Sequence, residues 1–453
     1  MQLIKDLKDK LQKDPHFLEL LKGSGTAFVL RIIGLFFSYI FLMLISRYFG
    51  SAGVGIFALS LVFLNIGGTF AKGGLHISFL RFVSEYVSLK DVSTLRSIYK
   101  KVLSLAGVFS LTFSILLYFL SPFLADLLGK PYLSSYFKIM SIGVVPLVYL
   151  SINTEGLRGL KRIKEYILFS SCLLNLFAIF IFFTCVFCFN FGFKLELKVF
   201  TPEISYISAV IIMLVVAFFS FQKLLKKAEN TGVSTKSLSY SEILNVSLPM
   251  LVSGSLIILV TWTDTIMLGW LGSVSDVGIY NVAIKIARIV IVFLTSVNTI
   301  AAPKFAEFYA NKDYKAIARV AKQASKLVFF LTFPFVIIIL IFPDRILLLF
   351  GKDFVNGKVA LIILISGFLF NAMAGSVGNI LQMTGNQRYH RNVLIIGTFL
   401  NIFLNYFLIP VYGLNGAAIA SAVSMIFWNF MFSIKVKKLT GEWVFFPQIK
   451  NGE

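Results

Sequence analysis

From residue 24 onward the chain repeats one pattern: an apolar run of about 20 residues, then a short connection marked by Gly, Pro or charge. A run of that length is what an α-helix needs to cross ~30 Å of hydrocarbon, whereas barrel strands would be about 10 residues long and alternate in polarity. The pattern predicts twelve spans, at 24–48, 53–75, 100–121, 134–157, 165–190, 203–222, 243–270, 275–301, 325–343, 357–383, 392–411 and 415–434. Residues 1–22 read differently. Lysines alternate there with Leu and Ile, and neither a continuous apolar core nor a small-residue cleavage site follows. Leu3, Ile4, Leu7 and Leu11 share a helical face, which predicts an amphipathic interfacial helix broken near Pro15 rather than a secretory signal.

Composition agrees with the pattern. Of the side chains 58% are hydrophobic and 14% charged, and the mean hydropathy is +0.86. Soluble domains lie near 45 to 50% apolar and about 25% charged, so this is an integral, all-α membrane protein. The net charge of +21 is not a nucleic-acid footprint, because no basic stripe is interleaved with stacking aromatics and the cations fall between the spans. With the N-terminus taken as inside, thirty-one Lys and Arg lie in the tails and inner connections and eight in the outer ones. That asymmetry predicts cytoplasmic termini in the cytoplasmic membrane, with the basic loops facing anionic lipid. The remaining three cations, Arg31, Lys285 and Arg288, stand inside spans. Cys172, Cys185 and Cys188 lie in or near one apolar run and read as lipid-facing filler.

The chain also resembles itself. RYFGSAGVGIFAL returns as GWLGSVSDVGIYNV, pairing Gly50 with Gly272. The same offset of 222 pairs Glu85 with Glu307, Lys90-Asp91 with Lys312-Asp313, and Gly129-Lys130 with Gly351-Lys352. Farther on, an offset of 226 pairs Gly159 with Gly385 and Asn175 with Asn401. Six spans per copy is an even number, so the copies enter the membrane in the same sense, as parallel repeats about the membrane normal. The expected organisation is an N-terminal segment 1–22, a six-helix lobe 23–222, a cytoplasmic linker 223–242, a second six-helix lobe 243–438 and a cytoplasmic tail 439–453.

Four stretches carry a family resemblance: the paired Gly turns, DTIMLG at Asp264 to Gly269, LQMTGNQR at Leu381 to Arg388, and the run from Asn401 to Ala418. Together they resemble the polysaccharide transporter branch, the O-antigen and lipid-linked oligosaccharide flippases, of the multidrug/oligosaccharidyl-lipid/polysaccharide flippase superfamily. The resemblance covers essentially the whole chain. It implies a MATE-like fold of two six-helix bundles that moves undecaprenyl-pyrophosphate-linked glycan across the cytoplasmic membrane. It also implies membrane lipid and glycan polymerase or chain-length machinery as partners, and a monomer. Related peptidoglycan-precursor flippases carry two further helices, for which this chain has no room.

The three cations inside spans identify the candidate site. Lys285 is about 18 Å from the outer end of its span and Arg288 about 4 to 5 Å deeper, and a central cation costs roughly 2.5 to 3.5 kcal/mol. Their spacing of three puts them on one helical face. A pyrophosphate offers the counter-charge, Arg presenting a planar fork and Lys a point charge. The resemblance adds Arg31, which otherwise reads as a snorkelling cation. Asp264, a lone intramembrane carboxylate, is a candidate for binding Na⁺ or H⁺ or for a salt bridge to Lys285 or Arg288. Asn401 and Asn405 share a face and either join an ion site or bond between helices. No other cofactor is expected.

The sequence holds no phosphate-binding loop, nucleophile elbow or clustered metal ligands, so no catalytic site is read. His16, His76 and His390 fall at inner connections and read as surface residues. Two alternatives stand beside the flippase. A multidrug exporter of the same fold would need a negatively charged path, and a membrane-embedded glycan polymerase or ligase would need a large outer loop.

Overall fold

The computed structural model describes the backbone of residues 15–190, 199–227 and 238–446 and, within these, the side chains of all but 15–27, 189–190, 252–260 and 299–300. The expected amphipathic face at Leu3, Ile4, Leu7 and Leu11, the middle of the linker (228–237) and the tail beyond 446 lie outside the described residues.

The described residues form helices and no strand. Each predicted span falls on helix: the first two on Pro15–Lys72, the third on Val92–Leu127, the fourth on the pair Leu133–Ile142 and Val144–Gly159, and the fifth on Ile163–Asn190 with its π turn at Leu168–Cys172. The sixth falls on Thr201–Lys227 and the seventh on Tyr240–Leu271. The later ones lie on Val274–Ala287 with Ile289–Ala310, Tyr314–Ile341, Lys358–Ala374 with Val377–Met383, Gln387–Tyr412 and Leu414–Thr440. Among the described residues nine helices are long and apolar enough to cross a membrane, or ten if the fourth-span pair, bent by 41° at Gly143, is one span. One of the nine, Phe28–Lys72, runs 45 residues. At 1.5 Å per residue that is about 67 Å, more than twice the hydrocarbon thickness. Gly50 breaks it, at φ 65° and ψ −167°, backbone that a side chain would oppose.

Phe119, Phe180, Phe219, Phe399 and Val411 are each between 64% and 75% exposed. Rows of bare aromatics on helices whose backbone is internally bonded are a surface made for lipid rather than water.

Two compact units emerge from the packing. One comprises the described residues up to Leu44 with Phe63–Asp126 and Lys130–Ser255; the other comprises Ile45–Val62, Leu127–Gly129 and the described residues from Leu256 onward. Their boundaries interleave along the chain, where the expected lobes 23–222 and 243–438 follow it.

In the first unit the Tyr99 hydroxyl donates to Asn153 Oδ1 at 2.7 Å, and the rings of Phe79, Tyr99 and Phe221 meet with centroids 5.0 to 5.7 Å apart. Gly156 admits this cluster, since a Cβ there would stand 2.7 Å from Phe221. At the Gly143 bend the Ser141 carbonyl is answered by the Ser114 hydroxyl at 2.7 Å, consistent with a break that leaves no buried acceptor unpaired.

In the second unit the helix beginning at Ser51 lies against Val274–Ala287 with almost no space between backbones. A Cβ on Gly55 would stand 1.9 Å from the Val274 carbonyl, and one on Gly278 would stand 1.9 Å from the Ser51 carbonyl. Ser51 Oγ and Ser275 Oγ share a hydrogen bond at 2.6 Å. Arg47 donates from Nε to the Leu349 carbonyl at 2.8 Å and from Nη2 to the Leu348 carbonyl at 2.9 Å.

The internal repeat is visible in the backbone. Lys90 and Lys312 both take left-handed φ, 55° and 56°. Asp91 and Asp313 both accept from the N–H three residues on, Thr94 at 3.0 Å and Ala316 at 2.9 Å, which starts the next helix in each copy. The later pairing is corrected, however. Lys161, at φ 61°, occupies the place of Gly385 at φ 74°, and Arg162 N–H to Leu157 O matches Asn386 N–H to Leu381 O. The offset is therefore 224, and Gly159 does not correspond to Gly385. Glycine identity misleads the pairing, because the first copy places a lysine in the left-handed position.

Candidate functional site

Asp264 lies on Tyr240–Leu271 and is buried, and its carboxylate collects donors from three other helices. Asn401 and Asn405, one turn apart on Gln387–Tyr412, donate from Nδ2 to Oδ1 at 2.9 and 2.8 Å. The Tyr280 hydroxyl donates to Oδ2 at 2.7 Å from the fully buried face of Val274–Ala287. Ser421, on Leu414–Thr440, donates to the same oxygen. Asn405 Nδ2 also reaches Asn401 Oδ1 at 3.1 Å. The helices bearing Asn405 and Ser421 are joined by Gly413 at φ 55°, a tight connection that holds them antiparallel.

Asp264, Asn401 and Asn405 are thus brought together, with two residues that sequence reasoning does not single out. Tyr280 belongs to the repeated Gly-x-Tyr turn, which marks it as part of the repeat but not of a site. Ser421 gives no signal beyond being a small polar residue in an apolar run. Every donor to Asp264 is neutral, and among the described residues no Lys or Arg reaches it within ion-pair distance. The salt bridge to Lys285 or Arg288 is therefore not formed.

One buried acceptor in the cluster is left over: Asn405 Oδ1 has no hydrogen-bond partner. With the Asp264 carboxylate, the Ser421 hydroxyl and this amide oxygen, the site offers the hard oxygen set that an alkali cation takes. Among the described residues no group of three His, Cys, Asp or Glu could hold a metal ion, which separates this site from a transition-metal centre.

Lys285 and Arg288 lie within the eighth span, Val274–Asn298. Lys285 is in the last turn of Val274–Ala287 and Arg288 is its C-cap, at φ −65° and ψ −10°, before Ile289–Ala310 begins. The turn at Arg288 is a local irregularity in αR backbone whose N–H still bonds the Ile284 carbonyl at 2.9 Å, and the span runs on through it as expected. Arg31 is exposed on Pro15–Lys72 and belongs to the other unit. Glu155, expected near Arg158, pairs with it at 3.3 Å.

Two histidines depart from the surface reading. His390 stacks on Phe432 with centroids 4.7 Å apart and shares a hydrogen bond with Gln382 at 3.2 Å. His76, on the helix Leu75–Ser88 outside the spans, has its Nδ1 buried without a partner. Burial, and secondarily the Lys72 charge, push its pKa down to about 3. Its folded value lies below the unfolded one, so its stabilising contribution is present above about 6.5 and is lost as pH falls toward 3. Thermal unfolding in detergent should show wild type losing roughly 2 kcal/mol more than His76→Phe between pH 7 and pH 5; parallel curves would refute a buried neutral imidazole.

This architecture is that of an all-helical, multi-pass membrane protein. The chain belongs to the family described as polysaccharide biosynthesis protein, whose model matches residues 20–309, and a MatE family model matches residues 249–407. A curated relative from Haloferax volcanii, "Probable low-salt glycan biosynthesis flippase Agl15", is 27% identical over 165 residues, 36% of this chain and 35% of the relative. The match therefore spans about a third of that relative's length. Among solved structures, the lipid II flippase MurJ in an inward closed conformation superposes with a TM-score of 0.70 at 18% identity, over 92% of this chain and 87% of that one. An inward-facing MATE multidrug resistance transporter gives a TM-score of 0.70 at 16% identity, over 90% of this chain and 96% of that one. These superpositions establish the fold. The named relatives are flippases and transporters rather than enzymes.

Proposed function

We propose that the protein moves an undecaprenyl-pyrophosphate-linked oligosaccharide across the cytoplasmic membrane by alternating access, both termini being cytoplasmic. Lys285 and Arg288 hold the diphosphate while the lipid tail stays in the bilayer. The Asp264 cluster binds the coupling ion, Na⁺ or H⁺. Pro15–Lys72 crosses twice about Gly50, and with the other predicted spans this makes twelve crossings.

The observation that carries the reading is the neutral shell around Asp264. Because Asn, Tyr and Ser satisfy the carboxylate's lone pairs without neutralising it, its charge remains for a small cation. Lys285 and Arg288 do not pair with that acid, and a phosphate is the anion that suits an ammonium beside a guanidinium. The kinship with a glycan biosynthesis flippase supports the cargo class, and the MurJ-like fold is compatible with a lipid-diphosphate substrate.

The multidrug alternative has the MatE match and the MATE-like fold in its favour. Proteoliposomes distinguish the two. Offered a lipid-diphosphate oligosaccharide, the corresponding lipid monophosphate and a cationic aromatic dye, the protein should move the diphosphate fastest and leave the dye behind. Transport of the dye alone would assign it to the exporters.

A further inference from the structure

The helix Thr201–Lys227 of the first unit opens on a feature that the proposed transport path does not use. Glu203, in its first turn, is 1% exposed, and both carboxylate oxygens are buried without a hydrogen-bond partner. Thr201 and Ser205 beside it are equally buried, the Ser205 hydroxyl being spent on the Thr201 carbonyl at 2.7 Å.

The packed elements supply little charge. The helix Leu133–Ile142 presents the Tyr136 phenol, which faces Glu203 without a hydrogen bond and rests on Phe200 at 4.8 Å, while its Lys138 lies over the Tyr118 ring instead. Leu173–Asn190 presents the Cys185 thiol toward Ser205, and Cys172 lies farther along the π turn. On Val144–Gly159, Tyr149 donates to Leu103 O and Glu155 pairs with Arg158. Among the described residues Glu203 has no ion-pair partner.

An ionised carboxylate in such surroundings is strongly disfavoured, so the group takes a proton instead. The neutral acid still lacks an acceptor for its O–H, a smaller but continuing cost. A hydrophobic residue would avoid both costs in this conformation, so the carboxyl has its use in a second one, where the first turn of the helix meets water. We propose that Glu203 is a proton-binding site of the first unit, distinct from the Asp264 site: it is protonated when the first turn of Thr201–Lys227 is packed as here, and releases the proton when that turn hydrates.

Proton occupancy and opening are linked: each proton lost must loosen the packed state, and each opening must lower proton affinity. The test needs neither cargo nor gradient, so its failure is distinguishable from failure of the flippase reading. Infrared spectra of the full chain in lipid nanodiscs at pH 7 should contain a carboxylic-acid C=O band that shifts in D₂O and is missing from Glu203→Gln. Hydrogen exchange across residues 199–206, corrected for the intrinsic pH dependence of exchange, should rise at least tenfold from pH 7 to pH 9 in wild type and less than twofold in Glu203→Gln. Absence of the acid band at pH 7, or the same pH response in both proteins, overturns the proposal. Glu203→Leu serves as the folding control, since an apolar residue suits the packed state and should exchange slowly at both pH values; faster exchange than wild type at pH 7 would also overturn it.

Discussion

Proteoliposomes bearing Lys285→Ala with Arg288→Ala are expected to move the lipid-linked oligosaccharide at least about 100-fold more slowly than wild type, with insertion and thermal stability unchanged or improved. A charge-assisted hydrogen bond to phosphate contributes about 1.5 to 3 kcal/mol, and each 1.4 kcal/mol is a factor of ten. Removing two such bonds therefore slows transport by more than a hundredfold. Stability should not fall, because a cation within a span carries an energetic cost of its own. Charge-conserving exchanges separate the roles. Lys285→Arg should keep much of the rate, whereas Arg288→Lys should lose more, since a point charge cannot replace a planar fork. Normal transport by the double alanine variant would remove both residues from the substrate path.

The second large effect is expected at Asp264. Asp264→Ala leaves the hydroxyls of Tyr280 and Ser421 and the amides of Asn401 and Asn405 without their acceptor. Losing the centre of a buried charged network costs about 3 to 5 kcal/mol. Asp264→Asn keeps the shape and should fold, yet it should lose the ion response. For wild type, saturating the coupling ion at 100 times its dissociation constant adds about 2.7 kcal/mol of stability. Melting curves of purified protein with and without Na⁺, at two pH values, check this directly. Indifference of wild type to both ions would dismiss the ion site, and a response preserved in Asp264→Asn would place it elsewhere.

How much of this is legible in the sequence depends on range along the chain. The apolar runs locate the helices because hydrocarbon thickness sets their length, and glycines at 50, 143 and 413 mark places where the helical backbone changes course. The break in the tenth span at Gly375, φ 67°, escapes a sequence reading because glycine is common in membrane helices that do not bend.

The candidate ion site shows the same limit. Asn401 and Asn405 are recognisable as one face because their spacing is local. That this face meets Asp264, 137 and 141 positions away, depends on helix azimuths that an all-apolar span does not encode. Ser421, 157 positions from Asp264, is out of reach for that reason. Glu203 reads as the edge of a span, since an acid at a helix start is ordinarily solvated; its burial follows from packing alone.

The close crossing at Gly55 and Gly278 has one further consequence. Each glycine lies against the other helix's backbone carbonyl, close enough for weak Cα–H···O attraction, and the Ser51–Ser275 hydrogen bond spans the same crossing. An approach this close leaves no room for any side chain, so glycine at both positions sets the distance between the two helices. A single methyl on either glycine would prop the crossing permanently ajar.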